Sequence, residues 1–416
     1  MQRGKAYDIP KHLVWQAYKV VRENRGAAGS DGQTMAQFDA NRNRNLYKIW
    51  NRMSSGSYLP PPVLKQEIPK ADGRMRVLGI PTVADRIAQG AVKLYLEPLL
   101  EPKFHPDSYG YRPGRSAHDA LAVTHQRVWS YDWVVEIDIK AFFDSMSHER
   151  VLAALEYHRV PNWVLLYAKR WLKAEMVDRQ GVREEREQGT PQGGVISPLL
   201  ANLFLHHGMD EWMRRHYPDI PFARYADDAV LHCRTPYQAD RIIEALGTRM
   251  AEIGLALHPE KTKKVYVGRV KPKQPVAREF TFLGYDFKRR VLRRNDGVLF
   301  YRVCPGASKK AMKAMTKTIR DWRIHRSSGM TAMQLAGNYN ATLRGWINYY
   351  GRFWYRHFGY RLWSCFQSRL VRWVKCRYKV SQRQAERKLD QLRRRQPNLF
   401  AHWELLGKRE VHSKAV

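Results

Sequence analysis

Residues 222–233 read FARYADDAVLHC and hold two adjacent aspartates, Asp227 and Asp228, between two short apolar runs. The apolar runs predict β-strands, and aspartate tolerates the dihedral angles of a tight turn. Taken alone, the stretch is therefore most simply a β-hairpin with acidic turn residues. Because adjacent carboxylates repel each other, the alternative is a site where protons or cations compensate the charge.

A third acid favours a site. The strand-like run WVVEIDI (133–139) carries Asp138 near its end. If this strand lies beside the hairpin, three carboxylates converge at one edge of a sheet. Mg²⁺ prefers oxygen ligands and keeps several waters, so a few carboxylates and substrate phosphates suffice to bind it. Two such ions can activate a hydroxyl and stabilise a leaving pyrophosphate, which is the chemistry of a nucleotidyl transferase or a nuclease.

The composition indicates a polyanionic partner. The 416 residues include 73 Lys and Arg against 39 Asp and Glu, a formal charge of +34. Nucleic acid is the first candidate, since no apolar run approaches the ~20 residues of a membrane-spanning helix. The N-terminus has no apolar signal-peptide core. The four cysteines form no C-x-x-C pairs, which argues against disulfides or zinc and for an intracellular compartment.

Eight segments along the chain form an ordered set. They are IPKADGRMRVLGIPTVADRIAQGAV (68–92), SYGYRPGRSAHDAL (108–121), EIDIKAFFDSM (136–146), GTPQGGVISPLLANLFL (189–205), RYADD (224–228), GLALHPEKTK (254–263), FTFLGYDF (280–287) and LRGWINYYGRFW (343–354). A lone YADD is weak evidence, whereas the ordered set is specific. In these segments and their order the chain resembles reverse transcriptases, and most closely the reverse transcriptase–maturases of group II introns.

The resemblance implies an α+β, right-hand polymerase. Fingers and palm with an antiparallel sheet would occupy 1–290, and a helical thumb or maturase domain 305–380. Residues 381–416 would form a basic extension that binds nucleic acid or closes the thumb. The chain ends soon after the thumb without paired cysteines, as in the compact bacterial class that lacks an endonuclease domain.

The implied activity is RNA-directed DNA polymerisation, in which dNTPs are added to a primer 3′-hydroxyl with two Mg²⁺ ions or substituting Mn²⁺. A maturase role would add binding of group II intron RNA, to assist splicing and homing. The expected partners are intron RNA, an RNA template–DNA primer duplex and target DNA, in the bacterial cytoplasm with the nucleoid. Monomer and homodimer both stay open. The alternatives are a domesticated or defence-associated reverse transcriptase, or a maturase that acts mainly as an RNA-binding splicing factor.

The resemblance assigns metal-site roles residue by residue. Asp138 and Asp227 would hold the metal ions, helped by the backbone carbonyl of Ile139. Asp228 would be the third carboxylate, nearer the primer. The turn beside the primer end would be shaped by Tyr225 and Ala226.

Nucleotide contacts are implied at further positions. Lys70 and Arg76, which flank the turn ADG with Arg74 between them, would grip the triphosphate, unless they form a solvated hairpin face. Phe143 would exclude a 2′-hydroxyl, unless it is core packing. The side chain of Gln192 would touch the nucleotide sugar or base.

Three more residues carry open alternatives. Gly193 would let the backbone approach the substrate closely, although turn chemistry alone also explains it. Lys261 could protonate the departing pyrophosphate or only neutralise charge. Asp144 could cap a helix that begins near His148.

The aromatic region 345–363 admits base stacking or core packing. Helical spacing predicts a core stripe of Leu343, Trp346, Tyr350, Trp354 and His357. The interleaved arginines are the better candidates for contacts with the nucleic-acid backbone. They are Arg344, Arg352, Arg356 and Arg361.

Overall fold

The structure is a computed structural model that describes residues 5–69, 75–270, 275–294 and 296–407. It divides into two compact units that are discontinuous in sequence. The first comprises Met1–Ala120, Ile137–Leu231 and Asp240–Thr262, and the second Leu121–Glu136, His232–Ala239 and Lys263–Val416. Lys70 and Arg74 lie outside the described residues.

Helices and short strands alternate over the first 233 residues. In chain order the elements are α1 (Lys11–Glu23), α2 (Met35–Ala40), α3 (Arg42–Ser54), β1 (Val63–Pro69), β2 (Met75–Ile80), α4 (Val83–Leu100), α5 (Ala117–Arg127), β3 (Trp133–Asp138), α6 (Phe142–Ser145), α7 (His148–Tyr157), α8 (Asn162–Leu172), β4 (Met176–Val177), β5 (Arg183–Glu184), α9 (Ser197–Leu205), a π-helical turn (His206–Asp210), α10 (Glu211–His216), β6 (Phe222–Tyr225) and β7 (Asp228–Cys233).

The remaining chain is mostly helical after one hairpin. Its elements are α11 (Pro236–Glu252), β8 (Lys263–Tyr266), β9 (Phe280–Phe282), β10 (Tyr285–Arg293), β11 (Leu299–Ala307), α12 (Lys309–Asp321), α13 (Ala332–Tyr350), α14 (Tyr355–Tyr378), α15 (Gln382–Arg395) and α16 (Glu404–Gly407). No helix in the described part of the chain is both long enough and apolar enough to cross a lipid bilayer.

Helix α4 forms the centre of the first unit. Its N-cap Thr82 accepts a hydrogen bond from the backbone N–H of Asp85, and apolar side chains along the helix are fully buried. The Asp85 carboxylate is also buried and accepts hydrogen bonds from Tyr58, Trp171 and Gln89 at 2.8–2.9 Å. Three partners satisfy a carboxylate that would otherwise be costly to remove from water. The network ties α4 to α8.

Two small sheets complete the first unit. In one, the strand order is β2-β1-β4-β5, and β1 pairs with β2 in antiparallel register. In the other, the hairpin β6–β7 lies beside β3. Apolar side chains of β3 and β7 are buried, which fits the short apolar runs in the sequence.

The second unit contains a sheet and a helical bundle. Residues 133–136 of β3 pair with 263–266 of β8, and β9, β10 and β11 form an antiparallel sheet. Helices α12 to α15 share one apolar core that includes Phe358, Phe366 and Trp373. Leu389 of α15 and Phe400 belong to the same core, so the basic C-terminal segment packs as part of this bundle.

The predicted aromatic stripe is wrong in part. Leu343 is fully buried, but α13 ends at Tyr350 and α14 begins at Tyr355, so the five residues do not lie on one helix. Trp354 has a left-handed backbone conformation between the two helices, and His357 is exposed. Periodicity cannot reveal such a break, because the residues on both sides keep helical spacing.

Candidate active site

The hairpin β6–β7 closes in a two-residue turn. Tyr225 pairs with Asp228 across the hairpin, so Ala226 and Asp227 occupy the turn. Ala226 has φ of +58°, a conformation that residues other than glycine rarely adopt. The two aspartates therefore stand at the turn and at the first position of β7. The hairpin is the one expected from the sequence, but no sequence pattern shows how the strained turn is held.

A buried arginine holds that turn. Arg224 and Asp210 are both 0% exposed and form an ion pair. The guanidinium of Arg224 also donates to the carbonyl of Ala226 at 3.0 Å, to Asn202 at 3.2 Å and to Ser108 at 2.8 Å. One side chain therefore links the π-helical turn, α9 and the 107–110 loop to the turn backbone.

The 107–111 loop packs directly against the turn. A β-carbon at Gly110 would overlap the backbone of Tyr225 and Ala226, so glycine is required for this close approach. Asn202 donates to the carbonyl of Gly110 at 2.7 Å. The pKa of Tyr111 is raised by burial and then by Asp227, which places this phenol within the electrostatic reach of the site. Neither Gly110 nor Tyr111 was singled out from the sequence, although both lie in the segment 108–121.

Asp138 ends strand β3 beside the hairpin. Its carbonyl accepts a hydrogen bond from the backbone N–H of His258 at 2.8 Å. The next residue, Ile139, forms an isolated antiparallel bridge with Leu257 and is buried. The segment 254–263 therefore fixes the backbone on which the Asp138 carboxylate stands.

The three carboxylates influence one another. The pKa of Asp228 is raised to about 7, first by desolvation and then by the charges of Asp227 and Asp138. Burial also raises the pKa of Asp227, and Asp138 adds to the increase. Arg76 and Lys261 act in the opposite direction on Asp227. Repulsion between neighbouring carboxylates is the behaviour expected of a site whose charge is compensated by bound cations.

Lys261 provides part of that compensation. Its ammonium nitrogen donates to Oδ2 of Asp138 at 2.7 Å, with side chains that are 49% and 18% exposed respectively. Lys261 also lowers the pKa values of Asp227 and Asp228. A single lysine therefore interacts with all three acids, and the contact visible in the structure is electrostatic.

Arg76 and Gln192 meet in the same unit as the carboxylates. The Nε of Arg76 donates to the amide oxygen of Gln192 at 2.8 Å. The carbonyl of Gln192 accepts from the backbone N–H of Gly79 on β2 at 2.8 Å. Gly193 has φ of +127°, and a β-carbon there would overlap the carbonyl of Gly79. The backbone of strand β2 therefore packs directly against Gly193, in the space that a side chain would otherwise fill.

Phe143 is half-buried on the short helix α6, while its neighbour Phe142 is buried against Phe204. The carbonyl of Phe143 accepts a hydrogen bond from Thr190 N–H at 2.7 Å. The proposed capping of α7 by Asp144 is wrong. Ser147 is the N-cap, and its hydroxyl accepts from the backbone N–H of Arg150.

The sequence-predicted residues divide into three groups. The first unit brings together Asp138, Asp227 and Asp228 with Lys261 and Arg76. The arginines interleaved with the aromatic residues of α13 and α14 belong to the second unit and are exposed there. They are Arg344, Arg352 and Arg356. Lys70 falls outside the described residues.

The acids fit a divalent cation that completes its shell with substrate. Among the residues that the structure describes, no three His, Cys, Asp or Glu side chains are gathered closely enough to hold a metal ion unaided. Mg²⁺ does not need such a set, because it keeps waters and takes substrate phosphates as ligands. The negative charges of the neighbouring carboxylates Asp138, Asp227 and Asp228 would attract a divalent cation such as Mg²⁺.

Comparison with protein families identifies the fold. Residues 68–287 match the family described as reverse transcriptase (RNA-dependent DNA polymerase). The chain is a reverse transcriptase. Residues 312–391 of this reverse transcriptase match the group II intron maturase-specific domain. Its α+β fold therefore consists of fingers and palm with antiparallel sheets, followed by a helical C-terminal region, as the sequence predicted.

Several curated relatives support the family. The reverse transcriptase is 29% identical over 315 residues to protein YkfC of Escherichia coli K12, covering 66% of this chain and 80% of YkfC. It is 34% identical over 201 residues to the group II intron-encoded protein LtrA of Lactococcus lactis, covering 48% of this chain and 33% of LtrA. An uncharacterized 91 kDa protein in the cob intron of Schizosaccharomyces pombe is 25% identical over 374 residues, covering 73% of this chain and 45% of that protein.

The reverse transcriptase thus spans most of YkfC but a third of LtrA and less than half of the Schizosaccharomyces protein. Several relatives are described as intron proteins or intron maturases. The family assignment and the maturase-specific domain together place the chain among reverse transcriptases of the group II intron type.

Proposed function

We propose that this reverse transcriptase extends a DNA primer on an RNA template with dNTPs, and that it also binds group II intron RNA as a maturase. The observation that carries the polymerase proposal is the set of three interacting carboxylates, Asp138, Asp227 and Asp228, at the end of β3 and the β6–β7 turn. The match of residues 312–391 to the maturase-specific domain supports the second role.

The metal ligands follow from the positions of these acids. Asp138 and Asp227 would hold two Mg²⁺ ions, or Mn²⁺ in their place, with Asp228 and the carbonyl of Ile139 as further ligands. When bound, the ions would lower the pKa of the primer hydroxyl and neutralise charge on the departing pyrophosphate. Lys261, whose ammonium lies 2.7 Å from Oδ2 of Asp138, would balance the charge of the acids before substrate arrives.

The remaining site residues bind and select the nucleotide. Arg76 would contact the triphosphate together with Lys70, which lies outside the described residues. Gln192, which Arg76 holds by a hydrogen bond, would contact the sugar or base. The half-buried ring of Phe143 would exclude a 2′-hydroxyl. Gly193 keeps the loop of Gln192 against β2.

Primer, template and intron contacts fall on the turn and on the thumb. Tyr225 and Ala226 would lie beside the primer end, and the exposed Arg344, Arg352 and Arg356 would contact phosphates. We assign 1–290 to fingers and palm, 305–380 to the thumb and 381–416 to a basic extension.

The metal assignment is tested by primer extension. Asp227→Asn should abolish incorporation of dNTPs on an RNA template, because it removes one carboxylate of the set, while splicing of a cognate intron is largely kept. The matched control is Asp219→Asn, an exposed aspartate in the turn before β6 that should extend primers like the wild type. If Asp227→Asn extends primers at the wild-type rate, Asp227 is not a metal ligand.

A reverse transcriptase that functions independently of an intron would give a different result in the splicing assay. If the chain were a domesticated or defence-associated reverse transcriptase, it would extend primers without promoting splicing of any intron that surrounds its gene. A maturase acting mainly as a splicing factor would promote splicing equally well with Asp227→Asn and show no extension in the wild type. Parallel extension and splicing assays separate the three cases.

A further inference from the structure

A recess of about 520 Å³ lies beside the start of helix α14 in the second unit. Its lining is aromatic and basic: Trp354, Arg356, His357 and Tyr360. Cavities of this size accommodate ligands as large as a nucleotide. None of these residues takes part in the carboxylate site, which belongs to the first unit.

Trp354 adopts an unusual conformation in the recess wall. Its φ of +34° and ψ of +54° lie in the left-handed region, immediately before α14 begins. A bulky residue is rare there, because its β-carbon crowds the backbone. Strained residues persist only where surrounding contacts compensate, and they are concentrated at binding sites. The break between α13 and α14 therefore sets the position of one large aromatic side chain.

Arg290 fixes the same side chain from the β10–β11 hairpin. Its guanidinium lies over the indole of Trp354, 5.2 Å from the ring centroid. The Nε of Arg290 donates to the carbonyl of Cys304 at 3.2 Å, which orients the guanidinium. A β-carbon at Gly306 would overlap that guanidinium and crowd Trp354. Glycine at this position leaves room for the arginine–tryptophan pair.

Further cations surround the recess. The pKa of the exposed His357 is lowered first by partial desolvation and then by the charges of Arg290, Lys288 and Arg361. Together with Arg356 in the lining, these side chains come from both β10 and α14. Such a combination of aromatic rings and fixed positive charge is the chemistry that binds a nucleobase and its phosphate.

We propose that this recess binds one unpaired nucleotide of an RNA, with its base on Trp354 and Tyr360 and its phosphate against Arg356. An unpaired nucleotide is required because a base inside a duplex does not present its face to a side chain. RNA is the ligand because the lining residues lie within the maturase-specific match, 312–391. The assignment deepens the proposed maturase function and rests on it.

The test compares two RNA hairpins that differ by one bulged nucleotide. We expect the full-length protein to bind the bulged hairpin more tightly in a fluorescence anisotropy titration. Trp354→Asn should reduce this preference about tenfold, equivalent to roughly 1.4 kcal/mol of base stacking. Asparagine is chosen because it tolerates the left-handed conformation. Trp354→Phe should restore most of the preference, since it keeps an aromatic face.

The matched control is Tyr301→Ala. Tyr301 pairs with Arg289 on the same hairpin, with the guanidinium 5.4 Å from the ring centroid, but does not line the recess. Its removal should leave the preference for the bulge unchanged. An unchanged preference in Trp354→Asn, or an equal reduction in Tyr301→Ala, would overturn the proposal. So would an equal preference for a bulged DNA hairpin.

The outcome also separates this proposal from the proposed function. If the wild type binds both hairpins and Trp354→Asn behaves identically, the recess assignment fails while RNA binding stands. If the wild type binds neither hairpin, the maturase proposal itself fails. Primer extension on a homopolymer template should be the same for the wild type and Trp354→Asn, because the recess is not part of the catalytic site.

Discussion

Arg224 illustrates what single residues contribute to the site. Its motif RYADD drew attention to the aspartates, yet the arginine organises the turn by binding Asp210, Asn202 and the carbonyl of Ala226. The three acids were predictable because carboxylates at strand ends carry recognisable chemistry. Partners such as Asp210 were not, because no local pattern shows which distant side chain neutralises a buried charge.

Removing Asp210 should damage both stability and catalysis. Asp210→Asn leaves Arg224 buried without a counter-charge, which costs about 3–5 kcal/mol for pairs of this kind. We expect a lower urea midpoint and, in the folded fraction, a higher Mg²⁺ requirement for primer extension. The matched control is Glu211→Gln. Glu211 is the residue next to Asp210, and it forms a partly exposed ion pair with Arg214 that this substitution breaks. Similar midpoints for the two variants would contradict the role given to the buried pair.

Lys261 offers a second test at this scale. Lys261→Arg keeps a positive charge beside Asp138 but is a poor proton donor, since its pKa is far above neutrality. If the lysine acts by charge, the arginine variant should extend primers within about tenfold of the wild-type rate, and Lys261→Gln should be slower. Single-turnover incorporation measures both. A rate reduced about 100-fold or more in the arginine variant would instead indicate proton transfer.

Secondary-structure elements were predicted best where one period runs uninterrupted. The apolar runs that flank Asp227 and the run that leads to Asp138 are strands with buried apolar side chains, as their sequence patterns predicted. Residues 197–216 are helical throughout, but a π-helical turn, His206–Asp210, interrupts the α-helical geometry between α9 and α10. The turn places Asp210 opposite Arg224, so a tertiary ion pair stabilises a local geometry that the helical pattern does not encode.

Helix α4 supplies a pH-dependent test. Burial raises the pKa of Asp85 from 3.8 to about 6, although hydrogen bonds from Trp171, Tyr58 and Gln89 oppose the shift. Because this value lies above that of the unfolded chain, the folded state holds the proton more tightly. The carboxyl therefore lowers the free energy of unfolding as pH rises from about 4 to about 6, and its effect is constant above that window.

Asp85→Asn should remove this dependence. The free energy of unfolding of the wild type, relative to that of Asp85→Asn, should fall across about pH 4–6 and then level off. Urea unfolding at a series of pH values measures the difference, and other titrating groups cancel because both proteins share them. A difference that does not change with pH would show that Asp85 keeps an ordinary pKa.

For the whole molecule, the excess of positive charge is the property most directly read from the sequence. A formal charge of +34 predicts that nucleic-acid binding weakens steeply with salt. The sequence could not predict how the charge divides, because a basic residue can serve in an ion pair or face a ligand. Arg22, although exposed, is paired with Asp39, for example, whereas Arg344 and Arg352 are exposed in the helical C-terminal region.

Because Arg22 is held in an ion pair, and Arg344 and Arg352 form none with the residues that the structure describes, removal of these arginines should change the salt dependence of nucleic-acid binding to different extents. Arg344→Gln combined with Arg352→Gln should reduce the slope of log affinity against log salt by about 0.7–0.9 for each phosphate that the double variant no longer neutralises. Arg22→Gln, the paired control, should leave the slope unchanged. Titrations of a template–primer duplex at several salt concentrations provide the comparison. Equal slopes for the double variant of Arg344 and Arg352 and for the wild type would show that other residues bind the phosphates.

The Arg224–Asp210 pair also constrains how the chain can reach its native state. Asp210 leaves the ribosome 14 residues before Arg224. Until that arginine arrives, burying Asp210 would isolate a charge away from water, so the π-helical turn has to remain hydrated. We therefore expect helix α9, the turn and the hairpin to become ordered together. We expect a nascent chain that ends between Asp210 and Arg224 to lack the ordered β6–β7 turn on which Asp227 stands.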